Sequence, residues 1–200
     1  MKCFNITIFA FLISFLVSNK VLAQSDYLIT EKNDTIRCEL KVNSLGSYKY
    51  RVNKTDQFKN IDFHVKEYFF AADTTTLVSK LIPEKQSKLL VKWLERGKIN
   101  LYEREVSTSN INNLYNVYYH YWYATKDNDS LVQIKTDAWF PAGSSRKKRE
   151  QALTDMFADS PYLLKSFTRA LKTQEYDYDL IRNYIQAYNL SSLANKKTKE

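Results

Sequence analysis

The chain has 200 residues, 44% of them apolar, with 30 lysines and arginines against 22 acidic residues and a formal charge of +8. That length suits one compact domain with a real core, or a β-domain with a helical appendage. Its three glycines, Gly46, Gly97 and Gly143, are isolated; they exclude a phosphate-cradling loop and a dinucleotide fingerprint, and no GxSxG elbow exists for a common serine hydrolase.

Residues 1–23 read as a signal peptide. Lys2 supplies the positive start, Ile6 to Val17 the apolar run, and Val21-Leu22-Ala23 the small residues before a cut at Ala23/Gln24. The run is shorter than the roughly 20 residues that span a bilayer, and no later stretch approaches that length. Cys3 precedes the run, so it is not placed as a lipoprotein cysteine. The expectation is an exported protein, periplasmic or on the cell surface, with no transmembrane span after cleavage. Such a protein rarely meets nucleic acid, so the basic surplus reads as solubility or weak attraction to anionic cell-surface polymers.

Residues 24–137 read as an antiparallel β region. Asp26 to Ile29 and Thr35 to Val42 are strands around the polar turn Glu31 to Asp34, and Ile36, Cys38, Leu40 and Val42 share one side of the second. Further short strands follow at Tyr48 to Val52, Phe58 to Phe70 and Leu77 to Ile82. Lys88 to Val106 is the clearest hairpin, turning at Glu95-Arg96-Gly97-Lys98, with Gly97 placed for positive φ. The aromatic strand Leu114 to Tyr123 comes next, and Ser130 to Lys135 returns beside it.

Residues 138–190 read as a C-terminal helical region packed on the sheet. Ser144 or Ser145 caps a first helix with Ala152, Leu153, Met156 and Phe157 inward. Arg146, Lys147, Lys148 and Arg149 fill its first turn, where they oppose the helix dipole. Asp159-Ser160-Pro161 starts a second helix with a capping side chain and proline at the first helical position. Asp177 or Asp179 opens a third, with Ile181, Tyr184, Ile185 and Tyr188 inward, and 191–200 reads as a polar tail. The fold class is therefore α+β: an antiparallel β-meander or rolled sheet, then three helices.

Little here points to catalysis. The two histidines, His64 and His120, lie in different strands, and no CxxC, HExxH or carboxylate-histidine cluster offers a metal site. No cofactor and no catalytic residue is expected. Cys38, the one cysteine left after cleavage, reads as a small buried hydrophobe, with a reactive thiol as the alternative. Glu103 and Glu105 face one side of a strand roughly 7 Å apart, a permissible separation for a glycosidase pair, although Glu-Arg-Glu is also what an exposed strand displays.

The aromatic strand carries the main functional idea. Tyr118, His120 and Trp122 share one face, a row of rings that could stack on a sugar or flank a peptide. The competing reading is a two-sided core. Arg146 to Arg149 form either a solvated helix end or a docking patch for an anionic partner. Three functions follow: a non-catalytic envelope binding or accessory module, a glycan- or peptide-acting hydrolase using dispersed carboxylates, or an assembly protein pairing through a strand edge. The partner would be an envelope glycan or protein.

Four segments, Asp26 to Ile36, Trp93 to Tyr102, Phe157 to Leu163 and Ile181 to Asn189, together resemble an uncharacterised exported protein family of Bacteroidetes-type bacteria. The resemblance covers most of the chain after the leader and its motifs are structural. It departs at Ser160, where the group has cysteine, and at Cys38, where it more often has glycine. It implies an envelope location, and O-glycosylation at Asp34-Thr35-Ile36 and Asp129-Ser130-Leu131.

Overall fold

The computed structural model describes residues 25–43, 47–61, 65–82, 86–109, 116–127, 130–139 and 144–197. The expectations for the leader 1–23, Gly46, His64, Leu114-Tyr115, Asp129 and Gly143 lie outside the described residues.

The fold is α+β, an eight-stranded antiparallel sheet and a three-stranded sheet followed by three helices. Where alternation predicts one strand from Thr35 to Val42, there are two. β1 (Tyr27–Thr30) pairs with β2 (Thr35–Arg37) in the large sheet, while β3 (Glu39–Val42) joins β4 (Tyr48–Arg51) and β5 (Lys59–Asn60) in the small one. Cys38 is the corner, and Asp26 holds it. The Asp26 carbonyl accepts from Cys38 N at 3.1 Å, and its carboxylate accepts from Leu40 N at 2.9 Å and Ala71 N at 2.8 Å. Cys38 and Leu40 still point into one buried cluster, with Ile36 beside them, but Val42 is exposed.

The rest of the large sheet is a meander: β6 (Val65–Phe70), β7 (Thr75–Ile82), β8 (Ser87–Glu95), β9 (Ile99–Ser109), β10 (Asn116–Lys126) and β11 (Val132–Thr136). They lie side by side in chain order, and β1 then β2 extend the sheet beyond β6. Short connections make every pair antiparallel. Register places Ile99 and Leu101 of β9 on the same face as Trp122 and Ala124 of β10, and the helices cover that face. Val78, Val91, Tyr102 and Tyr123 form a separate buried cluster, and Tyr102 and Tyr123 sit opposite each other on the alternate face.

The helices are α1 (Arg146–Met156), α2 (Pro161–Thr173) and α3 (Tyr178–Lys197). Ser145 caps α1 by accepting from Lys148 N at 3.4 Å. Two of its crowded cations are dealt with locally: Arg146 pairs with Glu150 at 2.7 Å, and Arg149 turns inward to donate to the Ser144 carbonyl. Asp177 caps α3 through Leu180 N at 2.8 Å. That helix continues to Lys197, so residues 191–197 are helical rather than a tail. Its inward stripe is Ile181, Ile185 and Tyr188, all fully buried.

Two expectations at the helix–hairpin junction are corrected. Gly97 does not have positive φ; a Cβ there would fall on the side-chain amide of Asn189. The space lets Asn189 reach β9, where Oδ1 accepts from Ile99 N at 2.9 Å and Nδ2 donates to Ile99 O at 2.8 Å. Ser160 is the N-cap of α2 but makes no side-chain capping bond. Asp159 does not cap either. Its carboxylate accepts from Lys98 Nζ and Lys126 Nζ, each at 2.7 Å, and from the Tyr188 hydroxyl at 2.8 Å. Partial burial pushes the Asp159 carboxyl up, but the bonds from Lys126, Lys98 and Tyr188 outweigh it and hold the group well below the usual carboxylate range.

Asn189→Ala would strand the Ile99 N–H and C=O and is expected to cost about 2–4 kcal/mol in urea unfolding. Gly97→Ala, which forces the amide aside, should cost about 1–3 kcal/mol, and less once Asn189 is already Ala. Because the folded Asp159 pKa is lowered, its contribution is present above the ordinary value of 3.8 and is lost as pH falls below it. Urea midpoints measured from pH 6 down to pH 2 should therefore fall less steeply for Asp159→Asn than for the parent.

Candidate functional site

The β9–β10 ladder is the longest among the described residues, running from Lys126 opposite Ile99 to Asn116 opposite Ser109. Its neighbours are shorter. β8 pairs with β9 only as far as Glu103, and β11 pairs with β10 only from Tyr121 to Ala124. Among the described residues, Asn116 to Tyr119 therefore have no strand on the β11 side, and Arg104 to Ser109 part from β8, whose residues Ser87 to Val91 stay paired with β7. Val117 is 40% exposed and Tyr118 52% exposed on opposite faces of β10.

The three rings expected to share a face do so, with steeply graded access. Tyr118 is open near the start of β10, His120 is half-buried further along, and Trp122 is 8% exposed beneath the helices. His120 stacks on Trp122 with centroids 5.6 Å apart and planes 20° from parallel, and Tyr178 of α3 tilts against Trp122 at 5.4 Å. Trp122 belongs to the core, because α3 roofs the strand at this point. The accessible part of the predicted face is Tyr118 with the edge of His120.

His120 is tied on three sides. Its Nδ1 lies 3.1 Å from Glu103 Oε1, its backbone N–H donates to Asp137 Oδ1 at 2.6 Å, and its carbonyl accepts from Asp137 N at 3.2 Å. Glu103 also lines a shallow groove of about 450 Å³ with Lys92, Tyr178 and Arg182. Burial pushes the Tyr178 hydroxyl up, keeping it protonated and able to donate. Glu95, which follows the groove residue Leu94 in β8, is held by Arg182 Nε at 2.5 Å and Gln186 Nε2 at 2.6 Å. Glu103 and Glu105 do share a face of β9, but Glu105 is exposed and Glu103 is engaged with the imidazole.

Neither Glu103 with His120 nor Glu95 with Arg182 was visible in the sequence. The partners of each pair are 17 and 87 positions apart. Only strand register and helix docking bring them together, although alternation had placed His120 and Trp122 on one face.

The basic cluster is split. Arg149 is 7% exposed, and burial lowers its pKa; Arg146 is paired, leaving Lys147 and Lys148 displayed. Cys38 is buried at the corner of the two sheets, and desolvation there, reinforced by Asp26, pushes its thiol up to about 11. Among the described residues no three His, Cys, Asp or Glu side chains are grouped to hold a metal, and no helix is long and apolar enough to cross a membrane. Comparison with protein-family models, curated proteins and solved structures finds no match.

A raised thiol pKa within a packed corner predicts slow chemistry. At pH 8 the native protein should label at Cys38 with a maleimide at least about tenfold more slowly than the urea-unfolded chain. Equal rates would mean that the corner opens freely.

Proposed function

We propose that this chain is an exported envelope protein that acts as a non-catalytic binding or accessory module through the β10 face. Support for export comes from Lys2, the apolar run Ile6 to Val17 and Val21-Leu22-Ala23, with the resemblance described above. Support for binding comes from one observation: β10 outruns β11 by Asn116 to Tyr119, and this end carries Tyr118, 52% exposed, on the same face as His120. An amphipathic ring beside an imidazole, on a strand with a free edge, suits an extended glycan or peptide laid along β10. The edge itself has a role in this reading. From Asn116 to Tyr119, the part that neither β11 nor Asp137 covers, there is no lysine, acid or proline of the kind that guards exposed edges, so an accessory role by strand pairing uses the same surface.

Glu103 at 3.1 Å from His120 Nδ1 favours a second reading, a glycan- or peptide-acting hydrolase. A carboxylate in that position orients an imidazole for acid–base work, and Glu103 opens onto the groove.

A thermal-shift screen against envelope glycans, peptidoglycan fragments and peptides tests the binding reading. A ligand at 100 times its dissociation constant should stabilise the fold by about 2.7 kcal/mol. Tyr118→Ala should abolish the shift while leaving the ligand-free midpoint unchanged. Trp122→Ala is unsuited to the purpose, since emptying its core site should cost about 3–5 kcal/mol by itself. No shift across the panel, or a shift untouched by Tyr118→Ala, overturns the β10 face as the site. Product formation that disappears in Glu103→Gln would instead favour the hydrolase.

A further inference from the structure

Half of the chain's formal excess charge sits on and beside the small sheet. Between residues 37 and 60, Arg37, Lys41, Lys49, Arg51, Lys54 and Lys59 stand against Glu39 and Asp56 alone, in a chain whose total is +8. Register sets Lys41 directly opposite Lys49, and Glu39 opposite Arg51. The alternate residues Leu40 and Tyr50 pack inward with Leu28 and Tyr68. Lys41, Lys49 and Arg51 therefore share the outward face.

This arrangement works against the stability of the sheet. Like charges directly opposite one another destabilise an antiparallel pair, and no acid among the described residues forms an ion pair with Lys41 or Lys49. Two of the cations on this face are nonetheless held in place. Phe58 carries both Lys41 Nζ, at 5.8 Å from its ring centroid, and the Arg51 guanidinium, at 4.6 Å. Beside Arg51 opens a cleft of about 380 Å³ walled in part by Arg37 and Lys54. The acids in that wall are already engaged: Asp26 by Leu40 N and Ala71 N, and Glu39 by Arg51 Nε at 2.8 Å.

We infer that the outer face of β3 and β4, with the adjoining cleft, binds an anionic polysaccharide, one that repeats carboxylate or phosphate groups along its chain. A lone small anion needs converging donors in a cradle. Here the cations lie along two strands, where alternate residues are roughly 7 Å apart, and this spread suits repeated charges on a polymer. Nucleic acid fits less well, because surfaces that take single strands add free rings on which bases stack, and Phe58 is carrying two cations. The inference rests on the proposed export for the source of such a polymer, but its site is separate from Tyr118.

The test titrates the full chain with polygalacturonate, with fully methyl-esterified polygalacturonate, and with single-stranded DNA of matched charge. The acidic polymer should bind and the ester should not, and affinity should fall as salt rises. Lys41→Glu combined with Lys49→Glu should lose at least about tenfold in affinity, whereas Lys147→Glu with Lys148→Glu should lose less than about twofold. Lys49→Glu alone turns a like-charge pair into an opposite-charge one. Its unfolding midpoint should hold or rise while binding drops, which separates a lost site from a lost fold. Tyr118→Ala should bind the polymer unchanged, so the β10 reading can fail without this one. The inference is overturned if the acidic polymer does not bind at low salt, if the α1 variant loses as much as the β3–β4 variant, or if DNA binds more tightly than the polysaccharide.

Discussion

Asn189 joins α3 to β9 through both polar atoms of its amide, and it can do so only because residue 97 has no side chain. The amide behaves as a one-residue strand, exchanging two hydrogen bonds with Ile99 inside the core. A contact of this kind tolerates little displacement, since a buried N–H or C=O left unmet costs more than the bond contributes. It fixes α3 in height and rotation on the sheet. Asp159 then fixes the α1–α2 junction to the same region, through Lys98 and Lys126 at the ends of β9 and β10 and through Tyr188 on α3. One hairpin end thus anchors the placement of the helical layer.

That placement decides what β10 can do. Because α3 is held over the sheet, Tyr178 covers Trp122, and the aromatic face is closed at one end and open at the other. The same strand therefore supplies core and surface. Its buried half stacks into the layer beneath the helices, and its outer end, Asn116 to Tyr119, runs out with only β9 for company. At the far end of the molecule Asp26 does the corresponding work for the small sheet, gathering Cys38, Leu40 and Ala71 on a single side chain. The two ends share no cluster: the helix-side core and the small-sheet core are distinct groups of buried residues.

Periodicity carried much of this in the sequence. The alternating patterns of the Lys88 to Val106 hairpin and the Leu114 to Tyr123 strand, and the stripe Ile181, Ile185, Tyr188, are long, and burial against one partner face preserves such patterns. What periodicity could not carry was direction and partner. Ile36, Cys38 and Leu40 alternate without a break although the chain changes sheets at Cys38, because both sheets bury the same side of it. Gly97 reads as a turn glycine, since nothing nearby in sequence announces Asn189. Asp159 reads as a cap because it precedes Ser160-Pro161, whereas its lysines come from 33 and 61 residues away. Alternation put Tyr118, His120 and Trp122 together correctly, yet their differing access depends on a helix that starts at Tyr178. The clustering of cations on the small sheet was there to be counted, but strand register was needed to set Lys41 against Lys49.

The contacts that seat the helices also dictate an order of assembly. The strands from β6 to β11 follow one another as neighbours, so each hairpin can form from residues only a short distance apart in the chain. The Asn189–Ile99 bonds, by contrast, close a gap of 90 residues, and Arg182–Glu95 one of 87. Closing loops of that size slows folding, because the entropy is lost before the contacts are gained. A chain emerging from its N-terminus can therefore build its meander early, but it cannot bury Ile99, Leu101 and Trp122 until α3 has arrived. For a protein proposed to cross a membrane before folding, that delay has a use: the helix that locks the core emerges after every strand it covers.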